Sequence, residues 1–168
     1  MTKLMLSGVV RESIVDGPGM RYTVFAQGCP HHCPGCHNAH TWPFSGGFAA
    51  EPIDIAQELK KNPMLRGITL SGGEPFCQSK AMVELAALCH AAGLDVIAYT
   101  GYLFEELLEK AKEEPDILAL LQETDVLIDG PFIMEQKSYD LRFRGSKNQR
   151  AIDVKASLAG GGVVLADI

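Results

Sequence analysis

The chain has 168 residues, 46% hydrophobic and 21% charged, with a formal net charge of −6 at pH 7. These values are typical of one globular domain, here residues 1–168, and the negative charge argues against nucleic acid as a partner. No apolar run approaches the ~20 residues that span a bilayer and the amino terminus lacks a signal-peptide pattern, so we expect a cytoplasmic protein without a membrane partner.

Four short apolar runs predict buried strands. Each run is rich in β-branched and aromatic residues and ends at a glycine or a polar residue. The runs are YTVFAQ from Tyr22, GITLS from Gly67, DVIAYT from Asp95 and DVLIDG from Asp125.

Helical patterns lie between these runs. Pro52 opens one helix, a second runs from Ser79 to Ala92 before Gly93, and a third runs from about Phe104 to Lys112. Alternating strands and helices predict a parallel sheet, either doubly wound or curled into a barrel. A complete barrel needs ~250 residues, so this chain can form only an open part of one.

Unusual motifs follow each predicted strand. They are GCPHHCPGC after the first strand, SGGEP after the second, TGY after the third and DGPF after the fourth. Because parallel α/β folds bind ligands at the carboxyl edge of the sheet, we expect the site at that edge.

The loop at 28–38, hereafter the cluster loop, contains Cys29, Cys33 and Cys36. Simple packing is the least favoured interpretation, because a loop rich in proline and glycine suits converging thiolates better than a core. A structural zinc is possible, with His37 or His40 as the fourth ligand. A 4Fe-4S cluster is favoured, since three thiolates would leave one iron without a protein ligand and able to hold a small molecule.

The SGGEP turn comprises Ser71, Gly72, Gly73, Glu74 and Pro75. Its glycines allow a ligand to approach the backbone closely, and the Glu74 carboxylate can pair with a cation. By itself the motif is a weak signal, because an ordinary strand-to-helix turn would also explain it.

Together, CxxxCxxC and SGGEP resemble the radical S-adenosylmethionine superfamily. DGPGMR, CPGCHN, TGY, LIDGPF and RGSKNQR are further similar to the glycyl-radical enzyme activases that act on anaerobic ribonucleoside-triphosphate reductase. The resemblance covers about residues 9 to 154 and leaves the tail from Lys155 unassigned. It implies an α/β fold, an incomplete and open parallel β/α barrel of about five strands.

The resemblance also implies a ligand set. One 4Fe-4S cluster per chain would be held by Cys29, Cys33 and Cys36, with S-adenosylmethionine completing it, and no side chain would act as acid or base. S-adenosylmethionine would contact Gly35, Cys36, His37, Ser71, Gly72, Gly73, Glu74, Thr100 and Asp129. The expected partners are the large subunit of anaerobic ribonucleoside-triphosphate reductase and a small electron donor such as flavodoxin.

Two positions depart from the superfamily pattern. The residue before the third cysteine is often aromatic and near the adenine, whereas here it is Gly35; His37 stands where relatives often have tyrosine. Three other functions stay open: activation of another glycyl-radical enzyme, radical chemistry on a small molecule, and a zinc-binding module without catalysis.

Overall fold

A computed structural model describes residues 2–168 as a mixed α/β fold. Its strands are β1 (Leu4–Ser13), β2 (Arg21–Ala26), β3 (Phe48–Ala50), β4 (Gly67–Gly72), β5 (Asp95–Tyr99), β6 (Val126–Asp129) and β7 (Arg150–Asp153). Its helices are α1 (Pro52–Lys60), α2 (Ser79–Ala91), α3 (Phe104–Lys110), α4 (Pro115–Gln122) and α5 (Val154–Gly160).

The strands form one sheet in the order β3-β1-β2-β4-β5-β6-β7. The four predicted strands are its centre, where β2, β4, β5 and β6 pair in parallel. The expectation of about five parallel strands is wrong at the edges, because β1, β3 and β7 are additional and pair antiparallel. The outermost strands, β3 and β7, lack the continuous apolar runs that revealed the centre, and β1 is exposed or half-buried over residues 7–12.

The predicted helices pack on one face of this sheet. The apolar stripe of α2, comprising Met82, Leu85, Ala86 and Cys89, is buried in the main core as predicted. Gly93, with a φ of 81°, follows the end of α2. Burial of each large apolar side chain contributes roughly 1.5–3 kcal/mol, so this layer accounts for much of the stability of the fold.

The opposite face of the central strands is more polar and is covered by loops. Alternation along β2 and β4 directs Arg21, Thr23 and Thr69 to this face, while their neighbours enter the main core. Thr69 Oγ1 donates to Asp16 O at 2.9 Å, and Tyr99 OH donates to Phe143 O at 2.6 Å. These contacts connect the face to two loop segments.

Candidate functional site

The cluster loop begins at the carboxyl end of β2. Its first residues are fixed by backbone hydrogen bonds from Gly28 N to Thr41 O (2.6 Å) and from Cys29 N to Trp42 O (3.0 Å). Further along, His32 and Gly35 have positive φ angles of 48° and 79°. Such angles turn the chain sharply, and at position 35 glycine adopts one without steric cost.

The three thiols of the cluster loop are partly or fully withdrawn from solvent. Cys29 is buried, and Cys33 and Cys36 are half-buried. Burial raises the pKa of Cys29 and of Cys33, while backbone N–H groups of His31 and Phe132, respectively, act in the opposite direction. Because thiolates are the metal-binding form, a metal that binds here must displace protons.

A cavity of about 130 Å³, hereafter the thiol cavity, brings residues of all four predicted motifs together, because Gly130 and Phe132 after β6 also line it. Its lining includes the three cysteines of the cluster loop, the Ser71–Gly73 turn after β4, and Thr100 after β5. The strands β2, β4 and β5 are parallel neighbours, so their carboxyl ends meet at one edge of the sheet. Seven of the predicted site residues therefore line one space: Cys29, Cys33, Cys36, Ser71, Gly72, Gly73 and Thr100.

A larger cavity of about 560 Å³ lies beside the first and is called here the adjoining cavity. The two cavities share Cys36, Ser71 and Phe132 in their linings. His37 lines the adjoining cavity, as do Asp16 and Arg144 from the loops over the polar face of the sheet. A ligand longer than the thiol cavity could therefore extend from the cysteines into this space.

Glu74 lies outside the linings of both cavities, and its side chain is fully buried. Its carboxylate accepts from Thr100 Oγ1 at 2.9 Å, from the Gly101 N–H at 2.9 Å and from the Phe76 N–H at 3.1 Å. His31 Nε2 adds a contact of 2.6 Å from the cluster loop. Glu74 thus joins the loops that follow β2, β4 and β5.

Asp129 is also fully buried and lines neither cavity. Its carboxylate accepts from the Phe104 N–H at 2.8 Å and from Arg150 Nε at 3.0 Å. Arg150 also pairs with Glu105 at 2.6 Å, and this interaction lowers the pKa of Glu105. Asp129 therefore connects the end of β6 with α3 and β7.

Gly35 is covered by the segment that follows β6. A Cβ atom at Gly35 would overlap Met134 Cε and would lie 3.3 Å from Phe132 Cε2. The Phe132 ring also lies 5.7 Å from the His37 ring, centroid to centroid. The missing aromatic residue at position 35 thus coincides with an aromatic residue supplied from elsewhere in the chain.

The sequence predicts no site role for Trp42 or Phe132, and for His31 it predicts either a solvent-exposed side chain or a hydrogen bond that tunes the cluster. All three side chains line the thiol cavity. The signal for Trp42 was its uniqueness, because the chain has one tryptophan and it follows the cluster loop closely. Phe132 belongs to the quoted LIDGPF motif, but its position over Gly35 depends on the tertiary fold.

The zinc alternative required His37 or His40 beside the three cysteines. Both histidines are exposed, and His40 lies in a short 3-10 turn, Ala39–Thr41. Within residues 2–168, no three or more His, Cys, Asp or Glu side chains converge as a single metal ion would require.

Comparisons with known proteins identify the family. A family model described as "4Fe-4S single cluster domain" matches residues 15–152. The anaerobic ribonucleoside-triphosphate reductase-activating protein of Vibrio cholerae is 39% identical in an alignment 144 residues long, which covers 81% of this chain and 89% of that protein. The chain belongs to this activating-protein family. The family resemblance of the sequence motifs is thereby confirmed.

Other members of the activating-protein family match over similar lengths. The protein of the same name from Salmonella typhimurium is 38% identical, and that from Escherichia coli is 36% identical. Each match covers 81% of this chain and 90% of the relative. Among solved structures, QueE from Escherichia coli aligns with a TM-score of 0.47 at 19% identity, over 59% of this chain and 53% of that one.

The helices of this family member are short. In the part of the chain that the structure describes, 2–168, none has the length and apolar character needed to cross a membrane.

Proposed function

We propose that this protein is a radical S-adenosylmethionine activase that generates the glycyl radical of anaerobic ribonucleoside-triphosphate reductase. The observation that carries the proposal is the thiol cavity, in which three cysteines, a glycine turn and Thr100 face one space. Membership of the activating-protein family supports the identity of the partner. Residues 1–168 would act as a single unit, and the sheet would curve as an open part of a β/α barrel.

The proposed cofactors are one 4Fe-4S cluster, ligated by Cys29, Cys33 and Cys36, and S-adenosylmethionine. Support comes from the donor set, because thiolates are the usual protein ligands of such clusters. When bound, the cluster supplies the electron that cleaves S-adenosylmethionine reductively and so starts the abstraction of a hydrogen atom from a glycine of the partner.

The protein's own residues would bind and orient these groups. Ser71, Gly72 and Gly73 line the thiol cavity and carry no bulky side chains, which suits contact with the methionine end of S-adenosylmethionine. Gly35 to His37 would contribute contacts on the opposite side. We further propose that Glu74 and Asp129 act mainly by holding the surrounding loops, because protein donors already occupy their carboxylates.

The protein partner would approach through the adjoining cavity. Its volume of about 560 Å³ and its continuity with the thiol cavity support entry of an extended glycine-containing segment. Basic residues in its lining, Lys137 and Arg144, suit a partner surface that carries negative charge. A small electron donor such as flavodoxin would reduce the cluster. Reduction of the cluster and formation of the glycyl radical would both take place in the cytoplasm.

The test combines the anaerobically reconstituted protein, S-adenosylmethionine, a reductant and the large subunit of the reductase. We expect a glycyl-radical signal by electron paramagnetic resonance, together with release of deoxyadenosine. Cys33→Ala should abolish both, because it removes a cluster ligand, whereas Cys77→Ala should retain both since Cys77 lies outside the thiol cavity. Deoxyadenosine without a radical would exclude this partner, and a colourless protein with one zinc would exclude the cofactor.

A further inference from the structure

Trp42 lies in the wall of the thiol cavity and is the only tryptophan of the chain. The backbone N–H of Cys29 donates to Trp42 O at 3.0 Å, which joins this residue directly to the cluster loop. The indole stacks on the His32 ring, with centroids 4.7 Å apart and an interplanar angle of 8°. The indole is therefore held against the loop by both a backbone and a ring contact.

The indole N–H of Trp42 is buried without an acceptor among residues 2–168. Buried indole N–H groups usually have a hydrogen-bond partner, because leaving the donor unsatisfied is unfavourable. Two other polar side chains of the cavity lining, those of Thr100 and His31, are satisfied because both contact Glu74. Because Trp42 lines the thiol cavity, a ligand of that cavity is a candidate for the acceptor that the protein itself does not supply.

We infer that Trp42 Nε1 donates a hydrogen bond to a sulfur atom of the iron-sulfur cluster. The inference rests on the proposed function, because it needs a cluster held by Cys29, Cys33 and Cys36. Hydrogen bonds to cluster sulfurs help to set the reduction potential, and a donor stabilises the more negative, reduced state. Trp42 would therefore make the cluster easier to reduce without holding any iron.

A sulfur acceptor agrees with the position of the indole. Trp42 lines the thiol cavity together with the three cysteines, but it does not contribute to the described lining of the adjoining cavity. The hydrogen bond from Cys29 N to Trp42 O places Trp42 beside the first of the three cysteines. Sulfur in a cluster carries negative charge and accepts hydrogen bonds from N–H groups.

The experiment compares reduction potentials of the reconstituted wild-type protein and the Trp42→Phe variant by redox titration followed by electron paramagnetic resonance. The reduction potential of the Trp42→Phe variant should be more negative by about 59 mV, which corresponds to a tenfold change in the equilibrium constant for one-electron reduction. Phe44→Leu is the control, because Phe44 is exposed and lies outside the thiol cavity. Equal potentials in two proteins of equal iron content would overturn the inference.

A second variant keeps the ring while removing the N–H. Because Trp42 is the only tryptophan, incorporation of β-(3-benzothienyl)alanine in place of tryptophan changes this one side chain. The new ring has sulfur where the indole has its N–H group. The reduction potential of this substituted protein should shift as in Trp42→Phe. If the phenylalanine variant does not take up iron, the substituted protein alone tests the hydrogen bond. An unchanged potential would contradict the hydrogen bond.

Fluorescence of the wild-type protein separates this inference from the proposed function. Iron uptake should strongly quench the emission of Trp42, since an absorbing cluster would lie in contact with the only indole. Iron uptake with unchanged emission would exclude the contact while leaving the proposed function intact. Absence of iron uptake by the wild-type protein would instead overturn the proposed cluster site itself.

Discussion

Glu74 illustrates how one residue organises the site. Its carboxylate is fully buried and is contacted by Thr100, Gly101, Phe76 and His31. Hydrogen bonds to a charged group are stronger than those between neutral groups, and a buried charge without them is very unfavourable. The position of the loops around the thiol cavity therefore depends on this carboxylate.

Glu74→Gln should destabilise the metal-free protein by about 1–3 kcal/mol. The amide group presents two N–H donors where the carboxylate accepted, so at least one backbone or side-chain donor loses its acceptor. Denaturation under reducing, anaerobic conditions measures the change.

Glu84→Gln is the matched control, because Glu84 is exposed on α2 and an exposed change of this kind stays within about ±0.5 kcal/mol. Equal free energies of unfolding for the two variants would show that the Glu74 network does not stabilise the fold.

The sequence predicted the residues of the thiol cavity better than their interactions. Spacing within one short loop indicated the three cysteines, and glycines after a strand indicated the Ser71–Gly73 turn. The partners of Glu74 lie 43 residues away at His31 and 26 residues away at Thr100, so no local pattern connects them. Asp129 was expected near the ligand for the same reason: its pairing with Arg150 exists only in the folded chain.

His90 connects several elements at the other end of the sheet. From the last turn of α2, its Nδ1 lies 2.7 Å from Glu123 Oε2 and its Nε2 lies 2.7 Å from Asp125 Oδ2. Lys155 of α5 pairs with the same Asp125 at 3.0 Å. Burial alone would lower the pKa of His90, but hydrogen bonds to Asp125 and Glu123 outweigh it and raise the pKa.

His90→Gln should lower the free energy of unfolding by about 1 kcal/mol at pH 6. This value is at the low end of the range for hydrogen bonds between charged groups, because the groups involved are partly exposed. A histidine with a raised pKa in the folded state stabilises fully below its unfolded pKa of about 6.5. The difference between variant and wild type should shrink as pH rises through the raised pKa, which denaturation at several pH values measures.

His40→Gln provides the comparison, because His40 is exposed and its replacement should have little effect at any pH. If His90→Gln lowered the free energy of unfolding by the same amount at every pH, the loss would come from packing and not from charge.

Periodicity predicted the four parallel strands and the helices α1 to α3, but it missed the interior elements β1 and α4 as well as the peripheral β3, β7 and α5. The central strands show continuous apolar runs because both of their faces are covered. The helix α2 shows a clear apolar stripe because one of its sides lies in the main core. The strand β3 has three residues that are exposed or half-buried, and β7 reads RAID, so neither has an apolar run. The helix α5 lies in the tail that the sequence left unassigned, and its end at Gly161 was not recognised.

At the scale of the whole molecule, the site is built by the loops that follow the four parallel strands β2, β4, β5 and β6. A ligand that contacts several of these loops binds only the folded chain, so its binding free energy adds to the stability of the fold. The metal-free protein must keep these loops in place through its own hydrogen bonds.

Cluster reconstitution should therefore raise the Tm of the wild-type protein by at least about 4 °C, which corresponds to a gain of 1–2 kcal/mol at this size. Anaerobic thermal unfolding followed by circular dichroism measures the shift. Cys33→Ala should lose the increase, and Cys77→Ala should keep it because Cys77 does not line the thiol cavity. An equal increase in both variants would argue against Cys33 as a ligand.

Arg21 and Glu74 connect the strands β2, β4 and β5 at opposite ends of the sheet. The fully buried Arg21 of β2 donates to Thr69 Oγ1 of β4 at 2.8 Å and pairs with Asp95 of β5 at 2.5 Å, while Glu74 joins the far ends. Because these strands are held at both ends, we expect them to keep their arrangement when the proposed cluster is absent. The emptied protein would then need repair and not replacement: fresh iron and sulfide, with no new round of folding.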